Sequence, residues 1–239
     1  MFTALDINGN KISAENASKG KEYFCPICNG KLCLKDGSEN AKHFAHLSLQ
    51  DCDDFTYDMS EWHRAWQEKF PLKNREVVIE HNGEKHRADV LAYGYVVEFQ
   101  HSPISREEFN RRNDFYIKAG KKVVWVFDVI YEFKNKRLEY NPDVEDQGSG
   151  DDYGGVYKWS YSKKCFKDFV PQEQKNIILF FQKNEQTSFL DDCEDSYIER
   201  VMWSMKDKYS GEANFKEFYT SYSPANKTEL LDWMKNGKL

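Results

Sequence analysis

No run of this chain approaches the roughly 18 apolar residues that a membrane-crossing helix needs. Its start, MFTALDINGNKIS, has neither the basic segment nor the apolar segment of a secretory leader. These two absences set the expectation of a protein of the reducing cytoplasm, with no membrane partner. Positive excess is missing as well. The formal net charge is −6, so no global basic field marks a nucleic-acid binder, and contact with a polyanion has to be local. Much of the acid is gathered in one loop, DVEDQGSGDD, at 143–152. Internal repeats are absent. Cysteine is sparse and uneven, at positions 25, 28, 33, 52, 165 and 193. That distribution suits metal or thiol chemistry better than a disulfide framework. Core-forming material is not lacking: 40% of the 239 residues are hydrophobic and 15% aromatic. Disorder is therefore excluded, and one large domain or two small ones fit the length.

The first cysteines lie in YFCPICNGKLCLKDGSENAKHFAHLSLQDC, after a short strand, a turn at Asn8-Gly9 and a second strand. Cys25-x2-Cys28 followed by Gly30 has the form of a metal knuckle, and a hairpin turning at Asp36-Gly37 follows it. A structural zinc site takes four N or S ligands in a tetrahedron. Cys25, Cys28, His43, His46 and Cys52 offer five candidates for the four places. On a strand His43 and His46 face opposite ways, whereas on a helical turn they share a face, so spacing leaves the choice open. Cys33 falls at a strand position and reads as packing.

The centre of the chain reads as a mixed α/β core. Ser60 caps a helix from about Glu61 to Phe70, stopped by Pro71. On it Trp62, Ala65, Trp66 and Phe70 form an apolar stripe. On spacing alone Glu61 is a helix-dipole partner, and His63 is a partly buried histidine. REVVIEH at 75–81 is a strand, and Asn82-Gly83 a hairpin turn. The next stretch, HRADVLAYGYVVEFQ at 86–100, reads as two strands joined at Tyr93-Gly94. Residues whose numbers sum to 187 then lie opposite one another, so Asp89 faces Glu98 and Arg87 faces Gln100. Directly opposed carboxylates destabilise a sheet, and a hard divalent cation would reverse that. VVEF also carries Glu98 into a buried strand, where a carboxylate has to be paired, metal-bound or protonated. Ser105-Arg-Glu-Glu108 is a capping box for a helix ending at Gly120, with Phe109, Tyr116 and Ile117 on its buried side. KKVVWVFDV is a further strand, parallel to 95–100 because the helix between them is a crossover. The resulting order is αβββαβ.

Beyond residue 130 a turn and strand at 130–140 and one or two strands at 156–170 are expected. Residues 172–185 and 191–208 read as helices, with a last helix at 227–236. The expected division is a zinc-binding hairpin module at 1–57, the core at 58–130 and a mostly helical extension at 131–239.

The succession CPIC, HFAH, Cys52, SEWH, RADV, VEFQHSPIS and VVWVFD resembles the competence protein CoiA-like nuclease family over roughly residues 1–130. That family is placed in the restriction-endonuclease-like, PD-(D/E)XK, group. The resemblance implies a metal-dependent DNA endonuclease, with structural Zn²⁺ in the cysteine/histidine module and Mg²⁺ or Mn²⁺ at the core. Asp89 and Glu98 match the two motif carboxylates, and Gln100 stands at the usual lysine position. Glu61 matches the acidic residue of the preceding helix, and Ala88 replaces the proline before Asp89. Arg87, Arg111 and Arg112 are the candidate phosphate contacts. DNA, of either strandedness, is the implied partner, with other DNA-processing proteins beside it, in competence, defence or repair. The competing readings are a catalytically silent nucleic-acid-binding module and a purely structural or protein-interaction role.

Overall fold

The computed structural model describes residues 1–37, 41–48, 52–53, 55, 60–140, 156–160, 163–167, 169–170, 174–183, 197–206, 213–221 and 227–236. Two sheets organise them. The first is small and N-terminal, with strands β1 (Thr3–Leu5), β2 (Lys11–Ser13), β3 (Tyr23–Phe24), β4 (Lys31–Lys35) and β5 (His43–His46) in the order β2-β1-β3-β4-β5. Asp6 Oδ1 accepts the N–H groups of Asn8 and Asn10, both at 2.8 Å, and Gly9 has φ +79°. This is the turn expected at Asn8-Gly9. Cys25, Leu32 and Phe44 form a small core under the sheet together with Tyr23.

The second sheet carries the αβββαβ order that was expected. Helix α1 (Glu61–Gln67) is followed by β6 (Arg75–His81), β7 (Glu84–Ala92) and β8 (Tyr95–Gln100), then helix α2 (Arg106–Lys118) and β9 (Lys122–Asp128). Ser60 Oγ caps α1 by accepting from His63 N, and Ser105 Oγ caps α2 by accepting from Glu108 N. The hairpin turns Asn82-Gly83 and Tyr93-Gly94 both have positive φ at both residues, which is the geometry that matches strand twist. Strands β7 and β8 pair at Val90↔Val97, Leu91↔Val96 and Ala92↔Tyr95, in the register that sums to 187. Strands β8 and β9 are parallel. Val123, Val124, Trp125, Val126 and Phe127 of β9 are each 0% exposed, as in a strand covered on both faces. One face packs under α2 through Phe109 and Tyr116. The other packs under α1 through Trp66, and under the turn after it through Phe70.

The remaining described elements are α3 (Ile130–Lys134), β10 (Leu138–Tyr140), β11 (Val156–Trp159), β12 (Ile177–Lys183), β13 (Tyr197–Lys206), β14 (Ala213–Ser221) and α4 (Lys227–Lys235). They correct the expected helical extension. Residues 177–183 and 197–206 are strands, not helices, and the sheet continues through them in the order β10-β11-β14-β13-β12-β9-β8-β7-β6. The run IILFF is buried from Ile177 to Phe181 and lies parallel to β9; a short apolar run of this kind has no period that separates strand from helix. In β13, Ile198, Val201, Met202 and Met205 fall at helical spacing. The register against β14 shifts between Val201 and Trp203 and again between Ser204 and Lys206. Those irregularities break the period of two that would have marked a strand. Helix α4 is where it was expected, and its Leu230 and Met234 join the core beneath α1.

Candidate metal centre and carboxylate site

The knuckle Cys25–Gly30 closes through Cys25 N to Gly30 O at 2.9 Å and Asn29 N to Cys25 O at 2.9 Å, with Asn29 at φ 57°. Ile27 N donates to Cys25 Sγ and Gly30 N to Cys28 Sγ. These donors stabilise thiolate charge. Strand β5 brings His46 to the knuckle, and the chain after β5 brings Cys52. The ligand atoms of Cys25, Cys28, His46 and Cys52 all lie within 4.8 Å of one another, the single such cluster among the described residues. Three of its six edges are 3.6 Å for Cys25 Sγ to Cys52 Sγ, 3.4 Å for Cys28 Sγ to His46 Nε2 and 3.5 Å for Cys52 Sγ to His46 Nε2. Around a tetrahedral zinc with Zn–S of about 2.3 Å, ligand atoms stand roughly 3.5–3.8 Å apart. Three sulfurs and one nitrogen at these separations fit a zinc ion. Burial, then the neighbouring Cys25, pushes the Cys52 thiol up; a cation among the thiols would relieve that crowding. His43 takes no part, because on β5 it faces away from His46 and its Nδ1 meets Ala41 O at 2.8 Å. Cys33 sits on β4 opposite Ala45, outside the cluster.

The second site lies where β7 and β8 part. Their pairing stops at Val90↔Val97, and side chains then enter the gap. Asp89 N donates to Glu98 Oε1 at 3.4 Å, and Phe99 N donates to Asp89 Oδ2 at 2.9 Å. Asp89 is 2% exposed and Glu98 0%. Asp89 Oδ1 also meets His63 Nε2 at 3.0 Å and accepts from Gln67 Nε2 at 3.3 Å, both from α1. Glu98 Oε2 accepts from Arg112 Nη1 at 2.8 Å, and Oε1 accepts from Tyr116 Oη at 2.9 Å, both from α2. The pair thus sits between the two helices, one carboxylate held by each. Burial, then the charge of Asp89, pushes Glu98 up to about 7 against the pull of Arg112 and Tyr116. Two adjacent buried carboxylates are hard-oxygen donors suited to a divalent cation. Each of their four oxygens already accepts from the protein, so a cation would share them.

The other expected site residues are placed as follows. Gln100 is buried, and its Nε2 donates to Ser102 O at 2.6 Å. Glu61 is not brought to the pair. Its side chain is 64% exposed and bonds Arg64 at 2.5 Å, because the first turn of α1 points it into solvent. His63 and Gln67, four residues apart on the inner face, are the helix residues that reach Asp89. Their i, i+4 spacing was the signal available for them. Arg87 and Arg112 are interior rather than surface phosphate contacts. Arg87 lies 3.6 Å from Glu76, and Arg112 is bound to Glu98 and Glu108. Arg87 does not pair with Gln100, since the ladder ends before it. Arg111 is exposed on the wall of a cleft of about 810 Å³ between α2 and the β6–β7 hairpin. At the C-terminal ends of β8 and β9, His101 Nδ1 meets Asp128 Oδ2 at 2.7 Å, and the ring stacks on Trp62. Among the described residues, no helix is long and apolar enough to cross a membrane.

A buried carboxylate pair thus lies where two strands part in an αβββαβ core, and a separate cysteine/histidine cluster precedes that core. Residues 7–55 match the family model of the N-terminal domain of competence protein CoiA, and residues 64–143 match that of its nuclease-like domain. The chain belongs to the CoiA-like family. Competence protein CoiA of Bacillus subtilis (strain 168) is 27% identical over 118 residues, which cover 45% of this chain and 32% of that protein. The match therefore spans about a third of the relative's length. No solved structure matches the chain.

Proposed function

We propose that the chain is a metal-dependent DNA endonuclease whose centre is Asp89 and Glu98. The observation that carries this reading is the second carboxylate, buried beside the first and pushed up to about 7. A buried pair of this kind costs stability unless its charge has a use. Asp89 and Glu98 would hold Mg²⁺ or Mn²⁺, which when bound acidifies a water and neutralises charge developing on the phosphate. His63 and Gln67 fix the rotamer of Asp89, and Tyr116 fixes Glu98. Arg112 supplies, from α2, the positive charge that Gln100 lacks at the end of β8. Gln100 orients its surroundings as a neutral amide. Arg111, exposed on the cleft wall and paired with Glu108, is the candidate phosphate contact. Residues 1–57 and 58–130 serve as zinc module and nuclease core acting on incoming DNA, and the described strands of 131–239 extend the sheet of that core.

The silent nucleic-acid-binding reading draws on one observation, the tie of the Gln100 amide to Ser102. Incubation of supercoiled, linear duplex and single-stranded DNA with the zinc-loaded chain and Mg²⁺ or Mn²⁺ separates the two. The nuclease reading expects cleavage that Asp89→Ala and Glu98→Ala each abolish. Binding without cleavage in all three substrates would establish the silent module instead.

A further inference from the structure

The zinc cluster and the carboxylate site are joined through residues 52, 53 and 55. Cys52 supplies one corner of the cluster. The side chain of its neighbour Asp53 reaches strand β7 of the second sheet. Asp53 Oδ1 meets His86 Nδ1 at 2.9 Å, and Oδ2 accepts from Arg87 N at 2.9 Å. Arg87 is two residues before Asp89 on β7, so the two amides lie on the same edge of the strand. That edge is the one β8 has left. Asp53 thus occupies the mouth of the split whose inner end holds Asp89 and Glu98. Its side chain is only 5% exposed, and a carboxylate so placed is stable only while its donors stay in register.

Phe55 extends the link to the other helix. Its ring stacks on His86 at 3.7 Å and 8°. The guanidinium of Arg112 lies 5.0 Å from the ring centroid, and the ring of Tyr116 meets it edge-on at 6.2 Å. Arg112 and Tyr116 are the two side chains of α2 that hold Glu98. The segment therefore runs from a metal ligand to the opened edge of β7 and to the donors of Glu98.

We propose that Asp53 is a positioning residue, seconded by Phe55, through which the zinc cluster holds the Asp89–Glu98 site in its cation-binding geometry. With Cys52 fixed in the cluster, Asp53 keeps β7 and β8 apart and Phe55 braces Arg112. With Cys52 released, Arg87 N–H loses its acceptor and Glu98 loses the brace behind its arginine. The inference rests on the reading of Asp89 and Glu98 as a cation site.

The test uses the full zinc-loaded chain, its Asp53→Asn variant and its Phe55→Leu variant. Zinc content is measured, together with hydrogen exchange at the Arg87 amide and the affinity for Mn²⁺, a hard cation that does not compete for a thiolate cluster. With zinc retained, both variants are expected to bind Mn²⁺ about tenfold more weakly, the usual cost of removing an outer partner of a metal site. Exchange at Arg87 is expected to accelerate about tenfold in Asp53→Asn. Chelation of zinc from the wild-type chain should reproduce both changes. Should Asp53→Asn shed its zinc, Phe55→Leu carries the Mn²⁺ measurement alone. Unchanged Mn²⁺ affinity and unchanged Arg87 exchange in zinc-retaining variants would overturn the proposal. If the wild-type chain binds no Mn²⁺, the nuclease reading fails. Arg87 exchange then decides the link by itself: acceleration in Asp53→Asn supports it, and no change overturns it.

Discussion

Two glutamates are buried in the same sheet, and their surroundings drive them in opposite directions. Glu76 on β6 accepts from Phe2 N at 2.9 Å, Thr3 N at 2.6 Å and Thr3 Oγ1 at 2.8 Å, with Arg87 beside it. Burial would raise it, but Arg87 and these donors outweigh burial and hold it at about 2. Glu98 on β8 also has an arginine, yet it faces Asp89, and burial with that charge pushes it up to about 7. Burial is common to both; the sign of the neighbouring charge separates them. Glu76 is satisfied and structural. It ties β1 of the small sheet to β6 of the large one, and it does so from a left-handed backbone with φ 43°. Such a conformation costs on the order of 1–3 kcal/mol for a residue with a Cβ, which the hydrogen bonds from Phe2 and Thr3 and the ion pair with Arg87 offset. Glu98 is paired as well, but burial and the charge of Asp89 outweigh Arg112 and Tyr116.

Removing each glutamate should separate the two roles most sharply. Glu76→Ala leaves Arg87 buried without its carboxylate and strands the donors of Phe2 and Thr3. A loss of about 3–5 kcal/mol is expected for breaking a buried pair of this kind, read by urea denaturation. Glu98→Gln should cost far less stability, because it also removes the repulsion from Asp89. Equal losses in the two variants would erase the distinction.

The next largest effect is on pH dependence. The folded pKa of Glu76 lies below its ordinary 4.5, so its contribution is present above pH 4.5 and is lost as pH falls toward about 2. The folded pKa of Glu98 lies above 4.5, so in the absence of a cation its contribution is present below pH 4.5 and is lost as pH rises through about 7. Each contribution amounts to a few kcal/mol, since a tenfold difference in proton affinity between the folded and unfolded chain is worth about 1.4 kcal/mol. Denaturation curves of Glu76→Gln should flatten on the acid side, and those of Glu98→Gln between pH 5 and pH 8.

This contrast also marks what the sequence makes legible. The Asp89–Glu98 adjacency follows from a two-residue turn and a period of two, both local. The cysteine/histidine cluster follows from spacing, except for the choice of His46 over His43, which depends on which face of β5 meets the knuckle. Glu76 gives no such signal. Its partners Phe2 and Thr3 are more than 70 residues away in sequence, and nothing in REVVIEH distinguishes it from a solvated strand glutamate. The helix residues divide in the same way. Glu61 resembles a motif acid but points outward, whereas His63 looks like core and touches Asp89. The strands β12 and β13 are hidden, the first by continuous burial and the second by its register shifts.

The smallest effects sharpen the division on α1. Glu61→Ala removes one exposed pair with Arg64 and should change stability by less than about 1 kcal/mol, with no change in DNA cleavage. His63→Ala removes a buried partner of Asp89 and should lower cleavage about tenfold. The reverse order would restore Glu61 to the site.

The central claim is that Asp89 and Glu98 form a cation site, with Glu98 held above the ordinary carboxylate range by burial and by Asp89. Calorimetric titration of the zinc-loaded chain with Mn²⁺ at pH 6, in buffers of different ionisation enthalpy, counts the protons released on binding. Metal and proton compete for the same carboxylate oxygens, so the wild-type chain should release about one proton per Mn²⁺ and Glu98→Gln none. Mn²⁺ binding without proton release, or equal release from Glu98→Gln, would contradict the account.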